Sequence, residues 1–303
     1  MTDGIVSLLL ILVAAPFIRG LIQKAKAFFQ MRNGSPLLQP YADLWKLVHK
    51  GEVIPEPSTF LFTALPWVNF AATVAATTLV PALGVGQVGP GDAIVFAALL
   101  ALARFALIVA AFDGTSNFTH MGASREMAIG AVIEPALIGC LAGLAIVGGG
   151  SGLGAIAESR HLAGPAAFGP AALMILVALI LVAQAESGRV PFDNPDTHLE
   201  LTMVHEGMLL EHSGRSLALL AYAAQIKQAA LIVLTGTLLF PVGWGELLPA
   251  ALAWIVRVVA IALLFACIET ANAKLRILRV PQLLVTATAI AGAGVVVGVT
   301  LGG

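Results

Sequence analysis

The chain has 303 residues, of which 59% are hydrophobic and only 11% are charged, and its mean hydropathy is +0.95. About a quarter of the residues in a typical soluble domain are charged, so the composition excludes an ordinary water-soluble protein. The formal net charge of -1 gives no indication of a nucleic-acid partner, and we expect none. We therefore expect one polytopic membrane domain over residues 1–303 with the lipid bilayer as its surroundings.

Eight stretches of the chain are apolar enough to cross a membrane. A transmembrane helix needs about 20 mostly apolar residues, and inside the bilayer a helix satisfies its own backbone hydrogen bonds. The sequence therefore predicts an all-α integral membrane protein with about eight transmembrane helices. The first stretch follows Asp3 rather than a basic residue, so we interpret it as a retained anchor and not as a signal peptide. The stretches are residues 4–22, 60–83, 92–112, 127–147, 170–184, 217–240, 247–267 and 280–301, the fifth being the shortest.

Basic residues fall mostly on one side of these predicted helices. Loops 1, 3, 5 and 7 together contain twelve Lys and Arg residues, whereas the even-numbered loops contain Arg160 alone. Because cytoplasmic loops are enriched in basic residues, we place the odd-numbered loops in the cytoplasm and both termini outside. The expected location is the inner membrane of a bacterium. The even-numbered loops, such as residues 148–169, are rich in Gly, Pro and Ala and are predicted only to turn the chain.

The first loop is long and contains a helical pattern. Apolar side chains recur at helical spacing between Pro40 and Gly51, opposite a charged side. This pattern predicts an amphipathic helix at the membrane surface, although the same helix could instead pack on the other loops, and the two arrangements are compatible. The apolar side is formed by Tyr41, Leu44, Trp45 and Val48, and the charged side by Asp43, Lys46 and Lys50.

The fifth loop, residues 186–215, is the most unusual segment. It contains six acidic residues and three histidines, more than a connection between helices needs. A helix is expected over residues 197–210, and the plainer interpretation is a solvated charged loop. The histidines do not have the one-turn spacing of a helical zinc motif, so we predict no metal site.

Four ionisable residues fall within the predicted membrane helices. They are Arg104, Glu134, Lys227 and Arg257, and each such charge costs roughly 2.5 to 3.5 kcal/mol at the bilayer centre. One interpretation is a proton or ion path; the other is that Glu134 pairs with a cation and fixes the helix packing. Pro135 removes a helix hydrogen bond beside Glu134. Two residues near the cytoplasmic helix ends extend the candidate path: Glu126, two turns before Glu134, and Glu269, for which a water-facing terminal charge is the alternative.

Several short motifs now resemble one family. The loop-5 run Glu186-Ser-Gly-Arg189-Val-Pro191-Phe192-Asp193-Asn-Pro195-Asp196 looks like the signature loop of the membrane subunit shared by respiratory complex I (its subunit 1) and the group 4 membrane-bound [NiFe] hydrogenases. The resemblance covers nearly the whole chain and occurs in the family's order. Its other parts are Gly34-Ser-Pro36, Leu38-Gln39-Pro40-Tyr-Ala-Asp43, Ser124-Arg125-Glu126 and Glu211-His-Ser213-Gly214.

Departures within loop 5 favour one branch of that family. Complex I relatives have Leu after the Pro-Phe-Asp triplet and then three alternating acidic residues, whereas this chain has Asn194 and then Asp196, His198 and Glu200. This pattern resembles the formate hydrogenlyase and hydrogenase-4 type subunit. The resemblance implies coupling and docking residues in and beside loop 5: Glu186, Arg189, Pro191, Phe192, Asp193, Asp196, His198, Glu200 and Glu211. It also implies that Glu126 and Glu134 pass a proton or electrostatic change onwards, within the candidate intramembrane charge path that the helices themselves indicate: Arg104, Glu126, Glu134, Lys227, Arg257 and Glu269.

The same resemblance implies the partners. The chain would dock a [NiFe] hydrogenase large subunit, a small iron-sulfur subunit and a ferredoxin-like subunit, and would adjoin antiporter-like membrane subunits. We expect it to bind no cofactor itself, while the other subunits carry the NiFe centre and the iron-sulfur clusters. Three alternatives remain open: a quinone-site subunit of a complex I-type enzyme, a pure anchor with structural charges, and an independent ion or solute transporter.

Overall fold

The computed structural model describes residues 2–56, 58–82, 92–193, 203–240 and 250–301. The described chain is nearly all helical, as predicted. Its α-helices, in chain order, are α1 (Thr2–Phe29), α2 (Gln39–Val48), α3 (Phe60–Thr78), α4 (Ala93–Asp113), α5 (Asn117–Gly148), α6 (Leu153–Leu162), α7 (Pro170–Glu186), α8 (His205–Leu209), α9 (Gly214–Leu239), α10 (Ala250–Ala271) and α11 (Val280–Leu301).

Seven of the described helices are long and apolar enough to span a membrane: α1, α3, α4, α5, α9, α10 and α11. The eighth apolar helix is α7, which has 17 residues and corresponds to the shortest predicted stretch. A span of about 17 residues is at the lower end of what a bilayer requires. The chain is therefore a multi-pass membrane protein, and the count of eight depends on α7.

Two helices extend by about two turns or more beyond their predicted ends. The first helix continues to Phe29, so Lys24 and Lys26 belong to a helix and not to loop 1. The fifth begins ten residues earlier than predicted, which places Arg125 and Glu126 inside it. Hydropathy alone missed this start, because the first turns of α5 are polar and are fixed by an N-cap: the Ser116 hydroxyl accepts a hydrogen bond from the Phe118 N–H.

The connection between α5 and α7 is more than a turn, and that prediction was wrong. It contains α6 and a 3-10 helix, Gly164–Phe168. The side chain of Arg160 is buried there, and it donates hydrogen bonds to the carbonyl oxygens of Leu238 (2.7 Å) and Ala167 (3.0 Å). Burial lowers the pKa of this guanidinium. The one basic residue of the even-numbered loops thus satisfies one carbonyl at the end of α9 and one in the 3-10 helix.

The predicted amphipathic helix of loop 1 is present as α2. Pro40 occupies its first turn, where a missing N–H costs no hydrogen bond. The Tyr41 hydroxyl donates a hydrogen bond to the Val13 carbonyl of α1, and burial of this phenol raises its pKa despite a backbone hydrogen bond that lowers it. Trp45 remains 71% exposed. One edge of α2 therefore packs on α1 while an aromatic side chain stays free for a membrane surface or a partner.

The long helices pack around a continuous apolar core. Helix α3 lies on α4, α5 lies between α4 and α11, and α9 contacts α1, α3 and α10. The largest fully buried side chains include Phe62, Phe96 and Phe265. The ends of α3 and α4 are joined by Asp113, whose carboxylate accepts hydrogen bonds from the Thr59 and Phe62 N–H groups (2.9 and 3.0 Å). This packing brings α4, α5, α7 and α9 together around the charged residues.

Candidate functional site

One guanidinium lies at the centre of the charged residues inside the helix bundle. Arg104, on α4, is only 4% exposed. Its Nη1 lies 2.9 Å from Glu134 Oε1, and its Nε lies 3.4 Å from Glu126 Oε1. Its Nη2 donates a hydrogen bond to Glu186 Oε2. One buried cation therefore contacts three carboxylates from two other helices.

Helix α5 leaves space for this guanidinium. Glu126 and Glu134 are eight residues apart, which places them on one side of α5, separated by about two turns. Gly130 lies midway between them, and a Cβ there would be only 2.9 Å from Arg104 Cδ. The missing side chain at position 130 therefore lets Arg104 reach both carboxylates. The prediction that Glu126 and Glu134 share a side of the helix is confirmed.

Lys227 completes the group through Glu186. Glu186 is the last residue of α7 and is buried, and its Oε1 lies 3.3 Å from Lys227 Nζ on α9. We call Arg104, Glu126, Glu134, Glu186 and Lys227 the intramembrane charge network. It contains two cations and three carboxylates, so full ionisation leaves one net negative charge. Because uncompensated charge is costly inside a membrane, binding one proton would restore neutrality.

A small cavity with charged residues in its lining adjoins the network. Its volume is about 20 Å³, and its lining includes Arg104, Glu126, Lys227 and His205. A polar space of more than about 15 Å³ is large enough for one water molecule. A water there would be within reach of a carboxylate of the network and of the imidazole of α8. Burial, and then the positive charge of Lys227, lower the pKa of His205, so the ring is mostly neutral near pH 7.

The segment after α7 is tied to three other parts of the chain. Arg189 Nη2 donates a hydrogen bond of 2.9 Å to Gln228 Oε1 on α9. Asp193 Oδ1 lies 2.7 Å from Lys274 Nζ, in the connection between α10 and α11. Asp193 Oδ2 accepts a hydrogen bond of 3.0 Å from the His205 N–H at the start of α8. We call Arg189, Asp193, His205, Gln228 and Lys274 the loop-5 tether.

The signature residues of loop 5 are buried rather than solvated. Arg189 and Asp193 are each 5% exposed, and Phe192 is 3% exposed. Pro191 is also buried, and its carbonyl accepts a hydrogen bond of 2.9 Å from the Leu275 N–H. The interpretation of a solvated charged loop is therefore wrong for residues 186–193, because each charge there finds an opposite charge or an amide within the chain.

The structure describes loop 5 beyond Asp193 only from Met203 onwards. Asp196, His198 and Glu200 lie outside the described residues. Within the described chain, the helix expected over residues 197–210 is reduced to α8, and Met203 and Val204 precede it without helical structure.

Glu211 has a place apart from the network. Its carboxylate accepts hydrogen bonds from the Thr115 N–H (2.8 Å), the Thr115 hydroxyl (2.6 Å) and the Thr119 hydroxyl (3.2 Å). Burial alone would raise the pKa of Glu211, but these hydrogen bonds hold it below its ordinary value. Glu211 therefore holds the link between α4 and α5 to the start of α9. Its neighbour His212 stacks on Phe62, with ring centroids 4.2 Å apart.

The other two candidates of the charge path lie elsewhere. Glu269 does not face water: it is 4% exposed, and its Oε2 forms an ion pair of 2.9 Å with Lys26 of α1. Arg257 has a buried Nε without an acceptor among the described residues. The structure thus joins Arg104, Glu134 and Lys227 and separates Arg257 and Glu269 from them.

Several members of the site were not predicted. Lys274, Gln228 and Gly130 were not candidates, and His205 was considered only as a metal ligand. One signal was available in the spacing of Glu126, Gly130 and Glu134. A glycine midway between two carboxylates on one helix side leaves room for a side chain of another helix. No local pattern indicates that Lys274 pairs with Asp193, since 81 residues separate them.

The fold and the network define a multi-pass membrane protein whose polar chemistry lies between its helices. The chain belongs to the family described as NADH dehydrogenase, whose sequence pattern matches residues 3–299.

Individual relatives agree with this membership. The chain is 30% identical to formate hydrogenlyase subunit 4 and 29% identical to hydrogenase-4 component C, both of Escherichia coli, over 92% and 89% of its length and 92% and 87% of theirs. It is 29% identical to NADH-ubiquinone oxidoreductase chain 1 of Triticum aestivum, over 75% of its length and 70% of that protein. These relatives bear out the resemblance found in the sequence.

A solved structure has the same fold. A chain of the membrane-bound sulfane sulfur reductase, an archaeal respiratory membrane complex, superposes with a TM-score of 0.79 at 22% identity. The match covers 97% of this chain and 99% of that one. The agreement over nearly the full length of both chains supports a single shared helix arrangement.

Proposed function

We propose that this chain is the membrane-anchoring and energy-coupling subunit of a multi-subunit [NiFe] hydrogenase of the formate hydrogenlyase or hydrogenase-4 kind. The choice of branch is supported by the two Escherichia coli relatives, which match about nine tenths of the chain, whereas the NADH-ubiquinone oxidoreductase relative matches three quarters. The observation that carries the coupling role is the intramembrane charge network, with its three carboxylates around Arg104.

The network and the tether share a boundary at the end of α7. Glu186 contacts Arg104 and Lys227, and only three residues later Arg189 binds Gln228. Lys227 and Gln228 are adjacent on α9. A change of charge or position in loop 5 is therefore transmitted to Glu186 through few contacts. We propose that redox events in a docked partner shift loop 5, and that Glu186 then divides its contacts differently between Arg104 and Lys227.

Such a redistribution changes the charge balance around Arg104. When Glu186 moves towards Lys227, Arg104 is left to Glu126 and Glu134. When Glu186 moves towards Arg104, either Glu126 or Glu134 loses its compensating charge. Protonation of that carboxylate then becomes more favourable. Because like charges repel strongly in a low-dielectric interior, the proton passes to the next acceptor when the contact reverses. Antiporter-like membrane subunits would receive the resulting proton or electrostatic change.

The redox chemistry itself belongs to the partners in this proposal. A hydrogenase large subunit, a small iron-sulfur subunit and a ferredoxin-like subunit would supply the NiFe centre and the clusters. This chain would hold them against the membrane on the side that carries α2 and the loop-5 segment, where Trp45 is exposed.

Purification with a tag in a mild detergent tests the proposal. Co-purification of a hydrogenase large subunit, with nickel and hydrogen evolution from reduced viologen, is the expected result. Co-purification of NADH- and quinone-linked subunits without nickel would contradict the hydrogenase assignment. Recovery of the chain alone, stable and monodisperse, would contradict both and support an independent transporter.

One observation favours the quinone-linked alternative. An open apolar groove of about 560 Å³ lies between α1 and α10 and is lined by Phe17, Tyr41 and Trp254 among others. The Trp254 indole N–H is buried and has no acceptor among the described residues, so it would meet a quinone carbonyl once the side chain turns towards the groove. Activity that depends on added quinone, and that a Trp254→Phe variant reduces by raising the KM for quinone, would establish this alternative.

A further inference from the structure

Arg257 is an intramembrane cation without a counter-charge in the described part of the chain. It lies on α10, six residues after the start of the span Ala251–Ala271, which is roughly 9 Å from one end of the span and 21 Å from the other at 1.5 Å per residue. Its Nε is buried without an acceptor, and no described residue forms an ion pair or hydrogen bond with it. The carboxylates of the intramembrane charge network are already shared by Arg104 and Lys227.

Arg257 lies between the buried and the exposed sides of its helix. On one side of it, Val258 and Ile261 are buried in the core, and on the other Val256 and Leu263 are exposed at 41% and 39%. The base of the side chain lies beside Gly236 of α9, where an added Cβ would meet Arg257 Cβ at 3.5 Å. Only 33% of the α10 span is buried within the chain, against 61% of α9. Arg257 therefore lies at the border between the packed and the uncovered sides of α10.

A guanidinium in this position needs an anionic partner. An isolated charge inside the bilayer is costly, and such residues face an aqueous cavity or pair with an opposite charge. A guanidinium also matches a carboxylate in two-pronged geometry. Resting on the proposed membership of a multi-subunit complex, we propose that the uncovered side of α10 beside Arg257 binds a transmembrane helix of another subunit that presents an Asp or Glu carboxylate to Arg257.

A lipid phosphate is a poorer fit than a carboxylate on a helix. The Cβ of Arg257 packs against Gly236 of α9, and its Nε is buried. A partner helix brings its acid to the depth of the arginine, whereas a lipid headgroup stays at the membrane surface. Helix association within lipid depends on close packing and polar contacts, and the apolar Val256 and Leu263 beside Arg257 supply a packing surface.

Photocrosslinking in the intact complex tests this proposal. A photoreactive amino acid at position 256 is introduced into the tagged chain with Arg257 retained, with Arg257→Lys and with Arg257→Gln. We expect an adduct with another membrane subunit, identified by mass spectrometry, in the first two. The Arg257→Gln variant should lose about tenfold or more of this adduct, because removing one member of a buried charge pair weakens association by at least that factor. The control Val285→Ala, at an exposed position on a different helix, α11, should leave the adduct unchanged.

A second measurement tests whether Arg257 contributes to an interface with another subunit or to the stability of this chain alone. Thermal unfolding of the isolated full chain in detergent should be unchanged or higher for Arg257→Gln, because the variant removes an uncompensated charge. Adducts with lipid alone, no protein adduct, an adduct equally strong without the arginine, or a loss of stability in the isolated chain would each overturn the proposal. The identity of the crosslinked subunit tests the hydrogenase assignment independently. An adduct with a subunit of a quinone-linked complex would contradict that assignment but would still support the interface at Arg257.

Discussion

Arg104 on α4 and Glu186 at the end of α7 are 82 residues apart in sequence, yet they form a buried, hydrogen-bonded ion pair. The same carboxylate also lies 3.3 Å from Lys227. Glu186 is therefore the point at which the signature loop meets the charges inside the bundle, and its two cationic partners give it two alternative contacts.

Removing the central cation should destabilise the chain strongly. Arg104→Gln leaves Glu186 and Glu126, which are largely buried, and the partly exposed Glu134 with Lys227 as the remaining cation of the network. Breaking a buried ion pair by removing one partner costs about 3 to 5 kcal/mol, so we expect a clear fall in the thermal unfolding temperature of the purified chain. Thermal unfolding in detergent measures it.

The control for this prediction is Arg215→Gln. Arg215 is exposed at the start of α9, and substitutions at such sites usually change stability by less than about 0.5 kcal/mol. Equal unfolding temperatures for the two variants would show that the guanidinium of Arg104 contributes nothing beyond a surface charge.

The loop-5 tether should control the local stability of α8. Asp193 joins the His205 N–H and Lys274, so Asp193→Ala removes the acceptor at the start of this short helix. We expect faster hydrogen exchange of the amides of residues 205–209, while the α4 amides keep their protection. Hydrogen exchange with mass spectrometry makes the comparison. Unchanged exchange in α8 would mean that packing alone holds the segment, and Lys274→Gln should produce a smaller effect of the same kind.

Much of this architecture follows from the sequence. The membrane helices were predicted because a span of about 20 apolar residues is a local property. The start of α5 was missed because its first turns are polar and depend on the Ser116 cap. The buried role of Arg160 was missed because the carbonyl it satisfies belongs to Leu238, 78 residues away.

The candidate site was predicted in its residue types but not in its pairings. Arg104, Glu126, Glu134 and Lys227 were recognisable because charge within an apolar run is costly and so marks a site. Their convergence depends on how α4, α5, α7 and α9 pack, which hydropathy does not encode. The burial of Arg189 and Asp193 was missed for the same reason, since charged residues near a loop are ordinarily solvated.

Removing Lys26 and removing Glu269 from their ion pair should destabilise the chain by different amounts. The glutamate side chain is fully buried, whereas the lysine is 12% exposed. Lys26→Met therefore leaves a buried carboxylate without its cation and should destabilise the chain more than Glu269→Gln, which leaves a cation nearer the surface. A double-mutant cycle on unfolding free energies should give a coupling energy between about 0.5 and 3 kcal/mol. Strictly additive effects of the two substitutions would contradict a direct interaction.

The pH dependence of stability should include a contribution from His212. Burial lowers the pKa of this imidazole from its ordinary 6.5 to about 4, although nearby Glu211 and Glu52 act in the opposite direction. The folded state therefore binds a proton less readily than the unfolded state, so the contribution is complete above pH 6.5 and is lost as the pH falls towards 4. Its upper limit is about 3.5 kcal/mol, since one pKa unit corresponds to about 1.4 kcal/mol.

A variant isolates this titration. His212→Phe keeps an aromatic ring against Phe62 and removes the ionisable group. Unfolding free energies measured between pH 7 and pH 4.5 should fall less steeply for the variant than for the parent chain. Parallel curves would show that His212 does not titrate differently in the two states.

The intramembrane charge network is proposed to couple hydrogen chemistry to ion movement. The most direct measurement is the number of ions translocated per hydrogen evolved by the complex in sealed inverted membrane vesicles, with reduced viologen as donor, for the parent chain, Glu134→Gln and the control Glu158→Gln. Glu158 lies on α6, away from the network. We predict that all three complexes assemble and evolve hydrogen, that Glu158→Gln keeps the parent ratio, and that Glu134→Gln loses most ion translocation. A Glu134→Gln complex that assembles and keeps the full ratio would contradict the coupling role and leave the chain as an anchor.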